Sequence, residues 1–179
     1  MQWRLLGIAG NRSATFLEKA SYLNDSNGCI ALGSVYHEGK GVKQDYSQAV
    51  INYEKACNLN NSDGCNLLAF LYAEGEGVKQ NFSQAKTYYE KGCSLNYGSG
   101  CLLLSSLYIE GKGVAQDFDN FLTYCKKACD LNDGYGGASL VLFYLESNKA
   151  TSKEYFGKAC DLGNHHGCDK YRELNERGT

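Results

Sequence analysis

The chain contains no proline, no basic stripe and no apolar run long enough to cross a bilayer. Each absence excludes something. Without proline the helices must be ended by other means, and 21 glycines fit short, regular helix-turn-helix units punctuated by glycine turns. The longest apolar run, Ala138 to Leu145, is interrupted by Ser139 and falls far short of the roughly 20 residues a spanning helix requires. A net charge of −2 and a pI near 5.9 leave no clustered Lys and Arg to displace counterions. Neither nucleic acid nor membrane is therefore an expected partner.

What the chain has is a repeat. Cys57-Asn-Leu-Asn-Asn-Ser-Asp-Gly-Cys65 returns as Cys93-Ser-Leu-Asn-Tyr-Gly-Ser-Gly-Cys101 and again as Cys160-Asp-Leu-Gly-Asn-His-His-Gly-Cys168. The first two copies lie 36 residues apart, a period that points to stacked units, none of which buries its apolar face alone. The expected fold is all-α, an α/α solenoid of about four 36-residue helix-turn-helix repeats.

Each unit opens with Gly-Cys and an apolar run ending in Tyr, at Cys29 to Tyr36, Cys65 to Tyr72 and Cys101 to Tyr108. That run predicts a first helix, A, of two to three turns. Glu-Gly-x-Gly-Val follows at Glu38, Glu74 and Glu110, its two glycines supplying the positive φ values that end one helix and reverse into the next. Asp45, Asn81 and Asp117, with Gln48, Gln84 and Asn120 three residues later, resemble capping boxes opening a second helix, B. Helix B closes in Tyr53-Glu-Lys-Ala-Cys57 and Tyr89-Glu-Lys-Gly-Cys93, so each cysteine pair spans from the end of B to the start of the next A.

These boundaries predict one domain over 1–179, made of a partial repeat 1–27, repeats 28–63, 64–99, 100–135 and 136–166, and a charged capping helix 167–179. Ala14 to Asn24 aligns with the end of a helix B if Ser21 stands for Cys93. In the third unit Gly137 occupies the place where Cys129 expects its partner, and the fourth is five residues shorter.

The pattern Ala49-x-x-x-Tyr53-x-x-Ala56-Cys57-x-Leu59, then Gly64-Cys65-x-x-Leu68-x-x-x-Tyr72-x-x-Gly75-x-Gly77-Val78, resembles a Sel1-like repeat. The 36-residue length with both cysteines is similar to the Helicobacter cysteine-rich branch of that family. The resemblance runs from about Ala14 to Arg177. A tetratricopeptide unit fits less well, having a period of 34 and a terminal Pro. The resemblance implies a right-handed superhelix with one disulfide per repeat, an exported protein, adaptor roles and recognition by a host immune system. It also implies penicillin binding with weak β-lactam hydrolysis, and hence peptidoglycan fragments or β-lactams as possible ligands. The spacings show none of that chemistry.

Nine cysteines in a chain this short read as a disulfide framework, which persists outside the reducing cytosol. Zinc and redox sites bring cysteines two to four residues apart, so a spacing of eight reads as a staple. The expected bridges are Cys57 to Cys65, Cys93 to Cys101 and Cys160 to Cys168, leaving Cys29, Cys125 and Cys129 as unpaired thiols. His165 and His166 lie between two stapled cysteines, and adjacent side chains in a tight loop point apart, so no metal and no cofactor is expected. Met1 to Arg12 is too weakly apolar for a secretory signal. The expectation is a secreted or periplasmic protein whose export signal lies upstream of this stretch; a cytosolic chain with reduced thiols is the alternative.

Ser83-Gln-Ala-Lys86 matches the S-x-x-K of serine β-lactamases, but Ser47-Gln-Ala-Val50 in the preceding repeat has no lysine. Neither Ser-Asp-Asn nor Lys-Thr-Gly exists to complete the set, so no catalytic residue is assigned. Comparing repeats gives one positive clue. On helix A, Leu32, Leu68, Leu104 and Tyr36, Tyr72, Tyr108 stay constant in type, while three positions vary: Ile30, Asn66, Leu102, Ala138; Ser34, Phe70, Ser106, Leu142; His37, Ala73, Ile109, Leu145. Spaced four and then three apart, they share one face. Stacked, these faces would form a groove suited to a protein or peptide segment; the alternative is that they fill gaps between helices. The expected function is a secreted, disulfide-stapled binding scaffold, with weak β-lactam hydrolysis as the reading carried by resemblance.

Overall fold

The computed structural model describes residues 25–133, 135–136 and 149–176, and every regular element among them is an α-helix. The chain divides into two compact units at Leu95. The first holds α1 (Ser26–Glu38), α2 (Tyr46–Asn58), α3 (Ser62–Glu74) and α4 (Phe82–Ser94). The second holds α5 (Gly98–Glu110), α6 (Phe118–Asp130), α7 (Lys149–Asp161) and α8 (His165–Glu176). Within the units α1 packs on α2, α3 on α4, α5 on α6 and α7 on α8, and α2 also packs on α3. The fold class is an all-helical solenoid of repeats with disulfides between repeat helices.

The helices start and stop for local reasons. Asp45, Asn81 and Asp117 each accept a hydrogen bond from the backbone N–H three residues on, at 3.1, 3.1 and 3.0 Å. The second arm of a capping box is not what the structure shows there. The backbone N–H of each of these caps donates instead to the carbonyl of Tyr36, Tyr72 or Tyr108 at the end of the preceding helix, at 2.9, 2.8 and 3.0 Å. The residue before each cap reinforces that turn: Gln44, Gln80 and Gln116 donate Nε2 to the carbonyls of His37, Ala73 and Ile109 at 2.7 to 2.8 Å.

Helix A begins three residues earlier than its Gly-Cys pair suggests. Asp25 caps α1 and Asn61 caps α3, so Gly28 and Gly64 fall inside the first turn. Gly64 is there for space. A Cβ on it would lie 2.6 Å from the Ala56 Cβ and 3.0 Å from the Cys57 nitrogen, so only glycine lets α3 meet the end of α2 this closely. Gly136 and Gly167 stand equally tight against Ala128 and Ala159. At the far end of helix B, Asn60, Asn96 and Asn132 take φ of 59°, 63° and 65° to leave the helix, and Gly163 does the same at 79°.

The core of the first unit includes two of the positions that stay constant in type, those of Leu68 and of Tyr36 and Tyr72. Ala49, Val50, Tyr53, Leu68 and Leu71 form one buried cluster, with Tyr36, Leu67, Tyr72, Val78 and Tyr88 packed around it. Tyr72 stacks on Tyr88 at 5.6 Å between ring centroids, and Tyr108 repeats the contact with Tyr124 in the second unit.

Candidate functional site: the staples and the helix A faces

The staples sit where helix B ends and helix A begins. Asn60 turns the chain out of α2, Asn61 caps α3, and Gly64 brings the two backbones together. This leaves the Cα atoms of Cys57 and Cys65 4.4 Å apart, with their sulfurs bonded at 2.04 Å. Cys160 and Cys168 repeat that geometry, and Cys93 and Cys101 are disulfide-bonded too. A Cβ on Gly136 would lie 2.7 Å from the Ala128 Cβ and from the Cys129 nitrogen, although Cys129 carries no bridge. Packing therefore sets the close approach, and the disulfide locks it.

Cys29, Cys125 and Cys129 are thiols and all three are buried. Residues 21 and 137, which bear on the first and last of them, lie outside the described residues. Cys125 takes the place of Tyr53 and Tyr89, and the reason is a size exchange across the A–B contact. Gly33 faces the large Tyr53, whereas Ser105 faces the small Cys125, whose Sγ donates to Ser105 Oγ at 3.3 Å. Burial pushes the Cys125 thiol up to about 11, against a smaller opposing pull from that hydrogen bond, and burial also raises Cys129.

Two consequences follow at the bench. At pH 8 a thiol reagent should leave Cys125 and Cys129 of the native chain unlabelled and label both in denaturant; rapid native labelling would contradict their burial. Because the folded thiol of Cys125 binds its proton more tightly than the unfolded one, its share of stability is fully present below about pH 9. It is lost as pH rises from there to about 11.

Ser83 is exposed on the first turn of α4, and the ammonium of Lys86 lies 2.5 Å from Glu90 Oε1 along the same helix. That ion pair holds the one lysine the S-x-x-K match offers as a base. His165 and His166 are exposed at the start of α8.

The variable positions of helix A do not share one environment. In the first unit Ile30, Ser34 and His37 are half-buried on α1, Phe70 is 42% exposed on α3, and Asn66 and Ala73 are 7% and 9% exposed. Ser34 Oγ bonds the Tyr53 hydroxyl at 3.2 Å. His37 Nε2 meets Glu76 Oε2 at 3.0 Å, with the Tyr46 ring at its edge. In the second unit Leu102, Ser106 and Ile109 are half-buried on α5. Leu142 and Leu145 lie outside the described residues. The burial of Asn66 and Ala73 is a departure from the uniformly open face that the repeat comparison suggests. Asn66 sinks because Gly92 on α4, where other repeats have Ala56, Ala128 and Ala159, leaves it room.

Comparison with known proteins follows the same repeat. An uncharacterized protein of Haemophilus influenzae is 61% identical over 32 residues, which is 18% of this chain and 62% of that protein. Among solved structures, a protective antigen of uropathogenic Escherichia coli strains, displaying an SLR fold, superposes with a TM-score of 0.78 at 26% identity, covering 93% of this chain. Cysteine rich protein B of Helicobacter pylori superposes with a TM-score of 0.61 at 29% identity, over 75% of this chain and 97% of that one. The chain spans 37% of the Escherichia coli antigen and 62% of the Haemophilus protein, less than two thirds of either. The Sel1 repeat model matches residues 26–61, 62–97, 98–133 and 140–164, well over half of the sequence, so this chain belongs to the Sel1 repeat family.

Proposed function

We propose that this protein is a binding scaffold rather than an enzyme, working outside the reducing cytosol and presenting its helix A faces to a segment of a partner protein. The observation that carries the reading is Phe70. A phenyl ring 42% exposed stands on a face whose neighbouring repeats place Ser34 and Ser106 at the same position. Leu68 and Tyr72 on the same helix keep their type from repeat to repeat; this position does not, and an apolar ring left open to water is the kind of group a partner covers. Solenoids characteristically bind along faces of this kind, where side chains can vary without disturbing the stack. The disulfides support the compartment, since such bonds last where no thiol pool reduces them. Among the described residues no helix is long and apolar enough to cross a membrane.

The test is panning of the oxidised chain with phage-displayed random linear peptides. Selected clones should lose binding to Phe70→Asp and keep it to Ile51→Asp, a change at a residue 55% exposed on α2 and off that face. Clones indifferent to Phe70, or dependent on Ile51 instead, would remove the helix A face from the reading.

A further inference from the structure

The three bridges differ in their access to water. Cys57, Cys65, Cys93 and Cys101 are 0 to 1% exposed, whereas Cys160 and Cys168 are both half-buried. A cavity of about 490 Å³ opens beside that third bridge, lined by Cys160, Cys168, Tyr171, Arg172, Asn175 and Glu176. Its size suits a small molecule.

The sequence of α8 explains why this bridge meets water. Three, four and seven residues after the second cysteine, the first two staples are followed by Leu68, Ala69 and Tyr72 and by Leu104, Ser105 and Tyr108. Leu68, Ala69, Leu104 and Ser105 are 0 to 1% exposed, because the next helix B packs there, α4 on α3 and α6 on α5. After Cys168 the same helical spacing brings Tyr171, Arg172 and Asn175, and all three are exposed. Arg172 puts a guanidinium where the A–B contact has room for a methyl or a hydroxyl group. Its Nη1 lies 3.6 Å from Asp169 Oδ1, an exposed pair of this length holding it weakly. A polar outer face is what an end repeat needs for solubility. Solubility does not require a cavity lined by a disulfide.

We propose that the Cys160–Cys168 bridge is a thiol–disulfide exchange site for a small thiol that carries a carboxylate. It stands independently of the scaffold reading. The incoming thiol gives its proton to solvent and its thiolate attacks the Cys160 sulfur. A new S–S bond forms there, the Cys160–Cys168 bond breaks, and its electron pair leaves on Cys168, so nothing is oxidised or reduced overall. The helix ends set that direction. Cys168 stands in the first turn of α8, where backbone N–H groups favour negative charge, and Cys160 in the last turn of α7, where carbonyls oppose it. Arg172, one turn beyond Cys168, takes the carboxylate of the thiol, and the Tyr171 ring covers its stem. Attack by the Cys168 thiolate expels the ligand and closes the bridge again, so this end of the chain responds to the thiols around it while the buried bridges hold the fold.

The test incubates the oxidised chain with glutathione or with cysteamine, a thiol bearing an ammonium and no carboxylate, at equal thiolate concentration. N-ethylmaleimide stops the exchange and peptide mapping locates the adducts. Glutathione should appear on Cys160 and maleimide on Cys168, at least about tenfold faster than any change at the four buried cysteines, whose exchange waits on local opening. Excess reductant reaches every bridge in time, so the rates carry the test. Cysteamine should react about threefold more slowly than glutathione, the size of one exposed ion pair. Arg172→Ala should abolish that preference and leave the melting temperature unchanged. Three bridges that exchange at one rate would overturn the site. Fast exchange in which cysteamine matches glutathione, or in which Arg172→Ala keeps the preference, would reduce it to an exposed bridge with no ligand of its own. Glutathione found on Cys168 with Cys160 released would overturn the direction that the helix ends impose.

Discussion

Replacing Cys57 and Cys65 together by alanine should lower the unfolding free energy by about 2.5 kcal/mol relative to the oxidised protein, the chain-entropy value for so short a loop. In melting temperature this is a drop of roughly 5–10 °C for a chain of this size. The two sulfurs close a loop with a sequence separation of 8 and are fully buried, so the bridge restricts the unfolded chain without any exposed strap to fray. Alanine is the informative replacement, because serine would bury hydroxyls and add a desolvation cost unrelated to the bridge. Reductant should act on every bridge at once. At about 2.5 kcal/mol per bridge the loss rivals the whole stability margin of an ordinary domain. Circular dichroism melts of the oxidised, reduced and doubly substituted chains separate these contributions. A reduced protein that melts within a degree or two of the oxidised one would show that packing at Gly64, Gly136 and Gly167 already holds the helix junctions. The disulfides would then no longer support a life outside the cytosol.

The parts of this architecture legible in the sequence are those locked to the period. The Glu-Gly-x-Gly-Val turns show themselves because Gly39, Gly75 and Gly111 must each take positive φ, and the caps Asp45, Asn81 and Asp117 show themselves because short polar side chains recur at one place. The start of helix A is harder to see. Gly64-Cys65 reads as punctuation, yet that glycine serves close contact with Ala56, and the true cap, Asn61, hides in a polar run whose counterpart at α5 is Tyr97 with no side-chain cap bond. The Gln44, Gln80 and Gln116 side chains reach carbonyls seven residues back, a distance no local pattern reports, though their exact recurrence was the available signal. The environment of Asn66 could not be read from its own repeat at all. It depends on the missing methyl group of Gly92, which lies 26 positions later on another helix.

The two glycine turns offer a matched test of what positive φ and crowding each cost. Gly163 has φ of 79° and nothing within 4 Å of where its Cβ would be, so Gly163→Ala should cost only the left-handed conformation, about 1 kcal/mol. Gly163→Asn should cost less still, since Asn60, Asn96 and Asn132 hold the same position with φ near 60°. Gly77 has a similar φ of 72°, but its Cβ would lie 2.5 Å from the backbone carbon of Tyr46 and 2.6 Å from its oxygen. Backbone cannot swing aside as the end of a side chain can, so α2 and the turn must part. Gly77→Ala should therefore cost about 3 kcal/mol, the left-handed penalty plus an overpacking penalty of similar or greater size. Urea unfolding, with midpoints compared at equal slope, reads the difference. Equal losses for Gly77→Ala and Gly163→Ala would mean that the turn relaxes away from Tyr46 freely. A large loss confined to Gly77 would mean that the turn after α3 is seated against the start of α2, so that this single contact fixes how one repeat rests on the next.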